Sequence, residues 1–84
     1  MGYGTEAIKL IVSYAFKVLG AEYLEIRHEI NNLRSKKMIE GLGFNYDGTI
    51  LDYAYDYKKE VYSICLYSLS RKKFMEDIYL WENY

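Results

Sequence analysis

The first part of the chain carries apolar residues at helical spacing. Between about Thr5 and Leu19 they recur at i, i+3, i+4 and i+7, which is the spacing of one buried helix face. The residues on this face are Ile8, Ile11, Val12, Ala15, Phe16 and Leu19. Thr5 is the expected N-cap, and Gly20 is suited to the left-handed residue that ends a helix. The pattern therefore predicts an amphipathic helix.

The rest of the chain alternates between strand and helix patterns. Residues 22–28 alternate apolar with charged side chains and predict a short strand. A second helix is predicted from Asn32, its N-cap, to Leu42, with Gly43 ending it. Its inward-facing residues are expected to be Leu33, Met38, Ile39 and Leu42.

The C-terminal half of the chain is rich in strand-forming residues. Residues 44–69 predict a long hairpin that turns near residues 57–59, although no Gly or Asn is present there to form the turn. Residues 70–81 predict one or two helical turns. The order helix, strand, helix, strand, strand with a short C-terminal helix predicts an α+β fold, in which helices cover a small mixed sheet within one domain spanning residues 1–84.

Length and composition limit the classes of function. Eleven basic and twelve acidic residues give a net charge of −1, which excludes a general affinity for nucleic acid. No apolar run reaches the roughly 18 residues of a membrane span, and the first residues lack the features of a signal peptide, so a cytoplasmic protein is expected. The single cysteine, Cys65, excludes an internal disulfide and a cysteine zinc cage, and no metal is expected.

Two segments carry groups suited to an anionic ligand. Gly2, Tyr3 and Gly4 directly precede the first helix, where main-chain N–H groups converge on an anion and the helix dipole adds positive charge. A flexible tail is the alternative. The second segment, residues 30–44, contains the pair Asn32 and Ser35 within a basic cluster. That cluster suits a polyanion, or forms an ordinary solvated helix face.

These segments together resemble the GNAT superfamily of acetyl-CoA-dependent N-acetyltransferases. The resemblance runs from Gly2 to about Phe74, and its most specific parts are the Asn-x-x-Ser pattern, the Leu-Gly-Phe at residues 42–44 and the strand end at residues 66–69. The branch that acetylates ribosomal-protein N-termini and related amines is the most similar. The resemblance implies acetyl-CoA as co-substrate and an amine, either a protein N-terminus or a small amine, as acceptor.

The resemblance also implies roles for individual residues. The start of the chain would hold the cofactor pyrophosphate through main-chain N–H groups, and Asn32 would hydrogen-bond the pantetheine arm. Ser35 would lie close to the thioester sulfur and protonate the departing thiolate. The predicted cofactor-binding residues are Gly2, Tyr3, Gly4, Thr5, Asn32, Ser35 and Lys36.

The second predicted catalytic residue is Asp52. It lies in the strand after Phe44, where related enzymes place a carboxylate that receives the proton of the amine. The alternative is a surface ion pair with Lys58 or Lys59.

Three further residue types are candidates for a site. Tyr53, Tyr55 and Tyr57 share one strand face by period-two alternation, and either line the acceptor pocket or pack against a helix or second subunit. His28, the only histidine, is either a base or a polar residue at a strand end. Cys65 is expected to be a small buried hydrophobe.

The resemblance covers only part of a complete family member. Complete members carry several strands and two helices before the pyrophosphate loop, so the chain is expected to be the C-terminal half of the fold. The bare sheet edge predicts a homo-oligomer, most simply a dimer. Two hypotheses follow: the dimer rebuilds the cofactor groove and transfers an acetyl group, or the chain is an inactive remnant or interaction module that retains the packing of the fold.

Overall fold

The computed structural model describes residues 2–81, apart from the side chains of Tyr3 and Leu80. Six elements follow one another: helix α1 (Gly2–Lys17), strand β1 (Tyr23–Glu29), helix α2 (Leu33–Gly41), strand β2 (Asn45–Tyr55), strand β3 (Val61–Ser70) and helix α3 (Arg71–Glu76). A short 3-10 helix, Ile78–Leu80, comes after α3. This order confirms the predicted α+β class and the short C-terminal helix.

The three strands form one sheet in the order β1-β3-β2. β2 and β3 are antiparallel, with Asn45 opposite Ser68 at one end and Tyr55 opposite Val61 at the other. β1 also runs antiparallel to β3. The N–H of Ile30, after β1, donates to the carbonyl of Ser63 near the start of β3, and the N–H of Arg71, after β3, donates to the carbonyl of Glu22 before β1, both at 2.9 Å. The sheet is therefore antiparallel where the sequence predicted a mixed one, and β1 and β2 are its edges.

The chain divides into two compact units. Of the described residues, the first unit combines 2–24 with 69–81, and the second contains 25–68. Aromatic rings form the core of the first unit. Phe74 stacks on Phe16 with ring centroids 4.7 Å apart, and the ring centroids of Phe74 and Trp81 are 5.5 Å apart. All three side chains are at most 1% exposed.

Arg71 ties the end of α1 to the start of α3 within the first unit. Its Nη1 donates to the carbonyls of Phe16 at 2.6 Å and Ala21 at 3.1 Å. The main-chain N–H of Arg71 donates to the carbonyl of Glu22 at 2.9 Å. Arg71 therefore donates hydrogen bonds to carbonyls at and just after the C-terminal end of α1, where carbonyls have no partner within the helix.

The buried face of α1 is narrower than the sequence predicted. Val12, Ala15 and Phe16 are buried as expected, but Ile11 and Leu19 are 64% and 69% exposed. The prediction for these two residues was wrong because apolar residues surround much of this helix, and spacing alone does not say which of them face the core. We call the outward-facing residues the α1 apolar stripe: Leu10, Ile11, Tyr14, Val18 and Leu19, all more than half exposed.

Helix α2 confirms most of its predicted features. Ile39 and Leu42 are 1% and 6% exposed, and Gly43 takes a left-handed φ of 84° directly after the C-cap. Leu33, in contrast, is 62% exposed, because it occupies the first helical position and faces away from the core.

The hairpin turns at residues 56–60, where the sequence predicted a break without Gly or Asn. Asp56 provides the missing turn chemistry: its Oδ1 accepts from the N–H of Lys58 at 2.8 Å and of Glu60 at 3.0 Å. Lys59 adopts the left-handed conformation with φ 64°. An aspartate that bonds its own turn thus replaces the usual Asn-Gly pair.

Candidate functional site

The first turn of α2 holds Asn32, Ser35 and Lys36 next to one another. Asn32 caps the helix as predicted, because its Oδ1 accepts from the N–H of Ser35 at 3.1 Å. The side-chain nitrogen of Asn32 and the hydroxyl of Ser35 have no hydrogen-bond partner among residues 2–81. The helix cap therefore uses the side-chain oxygen of Asn32 and leaves its side-chain NH₂ free to donate a hydrogen bond.

The start of the chain is helical rather than a loop. α1 begins at Gly2, so Gly2, Tyr3 and Gly4 form its first turn and Thr5 lies inside the helix. The prediction of Thr5 as N-cap was wrong, because the helix extends from the apolar pattern back through Gly4 to Gly2. Only the main chain of Tyr3 is described; its side chain lies outside the described residues.

This first turn still offers main-chain donors. The N–H groups of a helix's first turn have no intrahelical acceptor, and they lie at the positive end of the helix dipole. A Cβ added at Gly4 would meet no atom within 4 Å, so a ligand has open space at this position. The turn belongs to the first compact unit, whereas Asn32, Ser35 and Lys36 belong to the second.

Asp52 lies at an irregularity in β2. The register between β2 and β3 shifts between Ile50 and Ala54, and Asp52 takes a left-handed φ of 50°. Its N–H donates to the Oγ of Ser63 at 2.9 Å, across the irregularity. This conformation turns an exposed carboxylate out of the regular strand.

Asp52 and Ser35 do not line the same cavity. Asp52 lines a cavity of about 390 Å³ together with Tyr53, Ala54, Tyr55 and Val61. The alternative ion pair with Lys58 or Lys59 is not formed within the described part of the chain.

Tyr53 is held in the wall of this cavity by Arg27 from β1. Nη1 of Arg27 donates to the Tyr53 hydroxyl at 3.1 Å, and the guanidinium carbon lies 6.0 Å from the ring centroid. Glu25 accepts from Nε and Nη2 of Arg27 at 3.2 and 3.1 Å, and its hydrogen bond raises the pKa of Arg27. Tyr55 lines the same cavity, as the alternation predicted, whereas Tyr57 lies beyond the strand in the turn and is 90% exposed.

A second cavity of about 390 Å³ lies beside α2 and is called the α2 cavity here. Its lining residues are Ile30, Lys36, Glu40, Tyr46, Thr49, Cys65 and Tyr67. The Tyr67 hydroxyl donates to Oε2 of Glu40 at 3.1 Å. Burial and this hydrogen bond raise the pKa of Tyr67 to about 12. Cys65 is 8% exposed, which confirms its prediction as a small buried residue.

His28 stacks against Tyr67 with ring centroids 5.4 Å apart. It lies next to the last residue of β1, as predicted for a strand-end residue, but it is only 6% exposed. Its Nδ1 lies 2.6 Å from the carbonyl of Glu29 and therefore carries the proton, while Nε2 is buried without a partner among the described residues. Neighbouring residues in the sequence gave no signal for this stack, because Tyr67 is far from His28 along the chain.

Within residues 2–81, no helix has the length and apolar character that crossing a membrane requires. The same residues contain no group of three His, Cys, Asp or Glu side chains arranged to hold a metal ion.

Replacing Tyr67 by phenylalanine is expected to remove a late component from the alkaline titration of tyrosine absorbance, with a midpoint near the pKa of about 12. The folded chain keeps this proton while the unfolded chain loses it above about pH 10. The contribution to stability is therefore complete below pH 10 and lost as the pH rises through 12. Glu40→Gln should lower the midpoint but leave it above 10, because burial is the larger cause. An unchanged titration of Tyr67→Phe would contradict this assignment.

Three solved structures share the fold. A GCN5-related N-acetyltransferase from Brucella melitensis is 25% identical with a TM-score of 0.79, over 86% of this chain and 32% of that one. The ribosomal-protein-S5-alanine acetyltransferase from Vibrio fischeri is 21% identical with a TM-score of 0.78, and the match covers 84% of this chain and 38% of that one. A GNAT-family acetyltransferase from Bacillus anthracis is 20% identical with a TM-score of 0.76, and the match covers 84% of this chain and 42% of that one.

The chain thus spans less than half the length of each of these three structures. No curated protein sequence matches it. Residues 1–45 match the model of the acetyltransferase (GNAT) domain, and they include α1, β1 and the whole of α2. Because this match covers more than half of the 84 residues, the chain belongs to the GNAT acetyltransferase family.

Proposed function

We propose that the chain functions in acetyl-CoA-dependent N-acetylation, with acetyl-CoA as co-substrate and an amine as acceptor. The observation that carries the proposal is the cap of α2, where Asn32 presents an unpaired amide donor beside the unpaired hydroxyl of Ser35. Both residues lie inside the segment that matches the acetyltransferase domain, whereas Asp52 lies outside it.

The donors of this chain are chemically suited to coenzyme A. Its pyrophosphate is a polyanion, which the free N–H groups and positive dipole end of α1 favour. Its pantetheine arm contains amide carbonyls, which accept hydrogen bonds from a donor such as the Asn32 nitrogen. Lys36 adds a positive charge on the same turn of α2. We assign the pyrophosphate to residues 2–5 and the pantetheine arm to Asn32.

The chemistry requires two proton transfers. Bound acetyl-CoA supplies the acetyl group as a thioester. The amine nitrogen bonds to the thioester carbonyl carbon, and the bond from that carbon to sulfur breaks. The Ser35 hydroxyl gives its proton to the departing sulfur and regains one from solvent, and the Asp52 carboxylate receives the proton of the attacking amine. Since Ser35 is not among the residues that line the cavity of Asp52, the two roles are separate proposals. Ser35→Ala tests the first, and Asp52→Asn tests the second.

The acceptor is proposed to be a primary amine, either a protein N-terminus or a small molecule. The Vibrio fischeri enzyme, by its name, acetylates an alanine of ribosomal protein S5, which supports an amine acceptor for this chain. The cavity bounded by Asp52, Tyr53 and Tyr55 offers a carboxylate and aromatic walls to such a group.

Two substitutions of Asn32 separate cofactor binding from helix capping. Asn32→Ser keeps a cap oxygen but removes the amide donor, whereas Asn32→Ala removes both. Both variants are expected to weaken acetyl-CoA binding about tenfold in calorimetric titration, the effect of one lost hydrogen bond. Only Asn32→Ala should also lose about 1 kcal/mol of stability in thermal unfolding. Wild-type affinity in Asn32→Ser would contradict the assignment of Asn32 to the cofactor.

The second candidate function is an association module, and the α1 apolar stripe favours it. Three large apolar side chains of α1 and two directly after its end, each more than half exposed, form a surface that a second copy of the chain can cover. We propose a homodimer on this basis.

Replacing both Leu10 and Val18 by lysine is expected to convert the dimer to a monomer, as measured by size-exclusion chromatography with light scattering. Leu10 lies in α1 and Val18 directly follows its end, and both are more than half exposed, so two charges there oppose the burial of the stripe. Lys72→Glu, on the exposed side of α3, is the matched control and should leave the mass unchanged. A wild-type chain with the mass of one copy at micromolar concentration would contradict the dimer.

A further inference from the structure

The rim of the α2 cavity carries two opposite charges that do not neutralise each other. Lys36 and Glu40 both line this cavity and are one helical turn apart, so they lie on the same face of α2. They form no ion pair, and the side chain of Lys36 makes no hydrogen bond or ion pair to any residue in the described range. Glu40 uses Oε2 to accept from Tyr67, which leaves Oε1 available.

The floor of the cavity is built from rings and hydroxyls that hold one another in place. The rings of Tyr46 and Tyr67 lie 5.4 Å apart at a tilt of 60°. The Tyr46 hydroxyl is 2.5 Å from Oγ1 of Thr49, which in turn lies 3.5 Å from Sγ of Cys65. Behind this floor, the His28 ring supports Tyr67. Small-molecule sites typically have such a preformed, partly aromatic wall with a few fixed polar groups.

The pattern of groups specifies the chemistry of a ligand. An ammonium group suits the free oxygen of Glu40 and the faces of the tyrosine rings. A carboxylate suits Lys36, one helical turn away. Ile30 and Cys65 provide apolar surface for the rest of the ligand. One small molecule that carries all three features is an α-amino acid, in which the two charges are attached to the same carbon.

We propose that the α2 cavity binds a free α-amino acid with an apolar side chain, its ammonium group on Glu40 and its carboxylate on Lys36. The α2 cavity shares no lining residue with the cavity of Asp52, so the amino acid is the ligand of a separate site and not the acceptor whose proton Asp52 receives. Its binding does not require acetyl-CoA. The terminal amine of a protein lacks the adjacent carboxylate and leaves Lys36 without a partner.

Calorimetric titration of the whole chain with three isosteric probes tests the proposal. L-Leucine carries both charges, L-leucinamide lacks the carboxylate, and 4-methylpentanoate lacks the ammonium group. L-Leucine is expected to bind. The affinity of each analogue should be at least about threefold lower, because each has lost one partly exposed ion pair. Absence of leucine binding, or equal binding of leucinamide, would overturn the proposal.

Charge-deleting variants locate the site. Lys36→Met and Glu40→Gln should each weaken leucine binding about threefold or more. Lys37→Met and Glu29→Gln remove the same charges nearby but outside this cavity, and should leave the affinity unchanged. Equal weakening by the control pair would overturn the assignment to the α2 cavity.

A parallel titration with acetyl-CoA separates this inference from the proposed function. If acetyl-CoA binds and leucine does not, the amino-acid site is wrong and the proposed function stands. If leucine binds and acetyl-CoA does not, the site stands as a binding site and the proposed function fails.

Discussion

Replacing Phe74 by alanine is expected to lower the free energy of unfolding of the first unit by about 3–5 kcal/mol, the cost of removing a fully buried aromatic ring. Phe74 is 0% exposed and lies between Phe16 and Trp81, so its loss leaves a cavity that two rings border. Whole domains have only about 5–15 kcal/mol of stability, and a small one is near the lower end. The variant should therefore be largely unfolded in this unit well below the wild-type midpoint.

Trp81 provides the readout for Phe74→Ala. It is the only tryptophan of the chain and is 1% exposed, so its fluorescence reports the first unit. Met75, the next residue in α3, is 53% exposed, and Met75→Ala should change the stability by about 0.5 kcal/mol or less. If the two alanine variants unfold at the same denaturant concentration, the described core of the first unit is wrong.

Replacing Ser35 by alanine is expected to reduce turnover about 100-fold while leaving acetyl-CoA affinity nearly unchanged. General acid catalysis contributes about 100- to 10,000-fold, and an interaction made only in the transition state affects kcat rather than binding. Only the N–H of Ser35 takes part in the helix cap, and its hydroxyl has no partner in the described range, so removing the hydroxyl should not disturb α2.

Ser35→Thr is the matched control because it retains a hydroxyl at the same position. Turnover should recover partly in this variant, and its acetyl-CoA affinity should equal that of Ser35→Ala. The measurement combines steady-state acetylation of a small amine with calorimetric titration of acetyl-CoA. Equal losses of turnover and affinity in Ser35→Ala would indicate that Ser35 contributes to binding and not to proton transfer.

Local chemistry made the start of α2 predictable. Asn32 precedes an apolar-periodic run and can accept the N–H of the residue three positions later, which is the bond that the structure contains. The end of the same helix was predictable for a similar reason, since Gly43 adopts the positive φ that glycine tolerates best. Features that depend on residues close in sequence were thus largely accessible.

Features that depend on distant residues were not accessible from the sequence. Glu40 and Tyr67 are 27 residues apart, and no periodicity indicates their hydrogen bond. The left-handed conformation of Asp52 depends on how β2 pairs with β3, where the Oγ of Ser63 accepts its N–H. Because tertiary pairing determines both, the α2 cavity and the position of Asp52 required the structure.

The central proposal is that coenzyme A is bound by two separate groups, the main-chain amides at the start of α1 and the side-chain amide of Asn32. Titration of ¹⁵N-labelled chain with acetyl-CoA, followed by two-dimensional NMR, tests it most directly, because the Asn32 side-chain NH₂ gives its own pair of signals. The claim predicts saturable shifts of that pair and of the amides of Gly4 and Thr5. Saturating acetyl-CoA that leaves these signals in place, or shifts only signals of the β2–β3 hairpin, would contradict it.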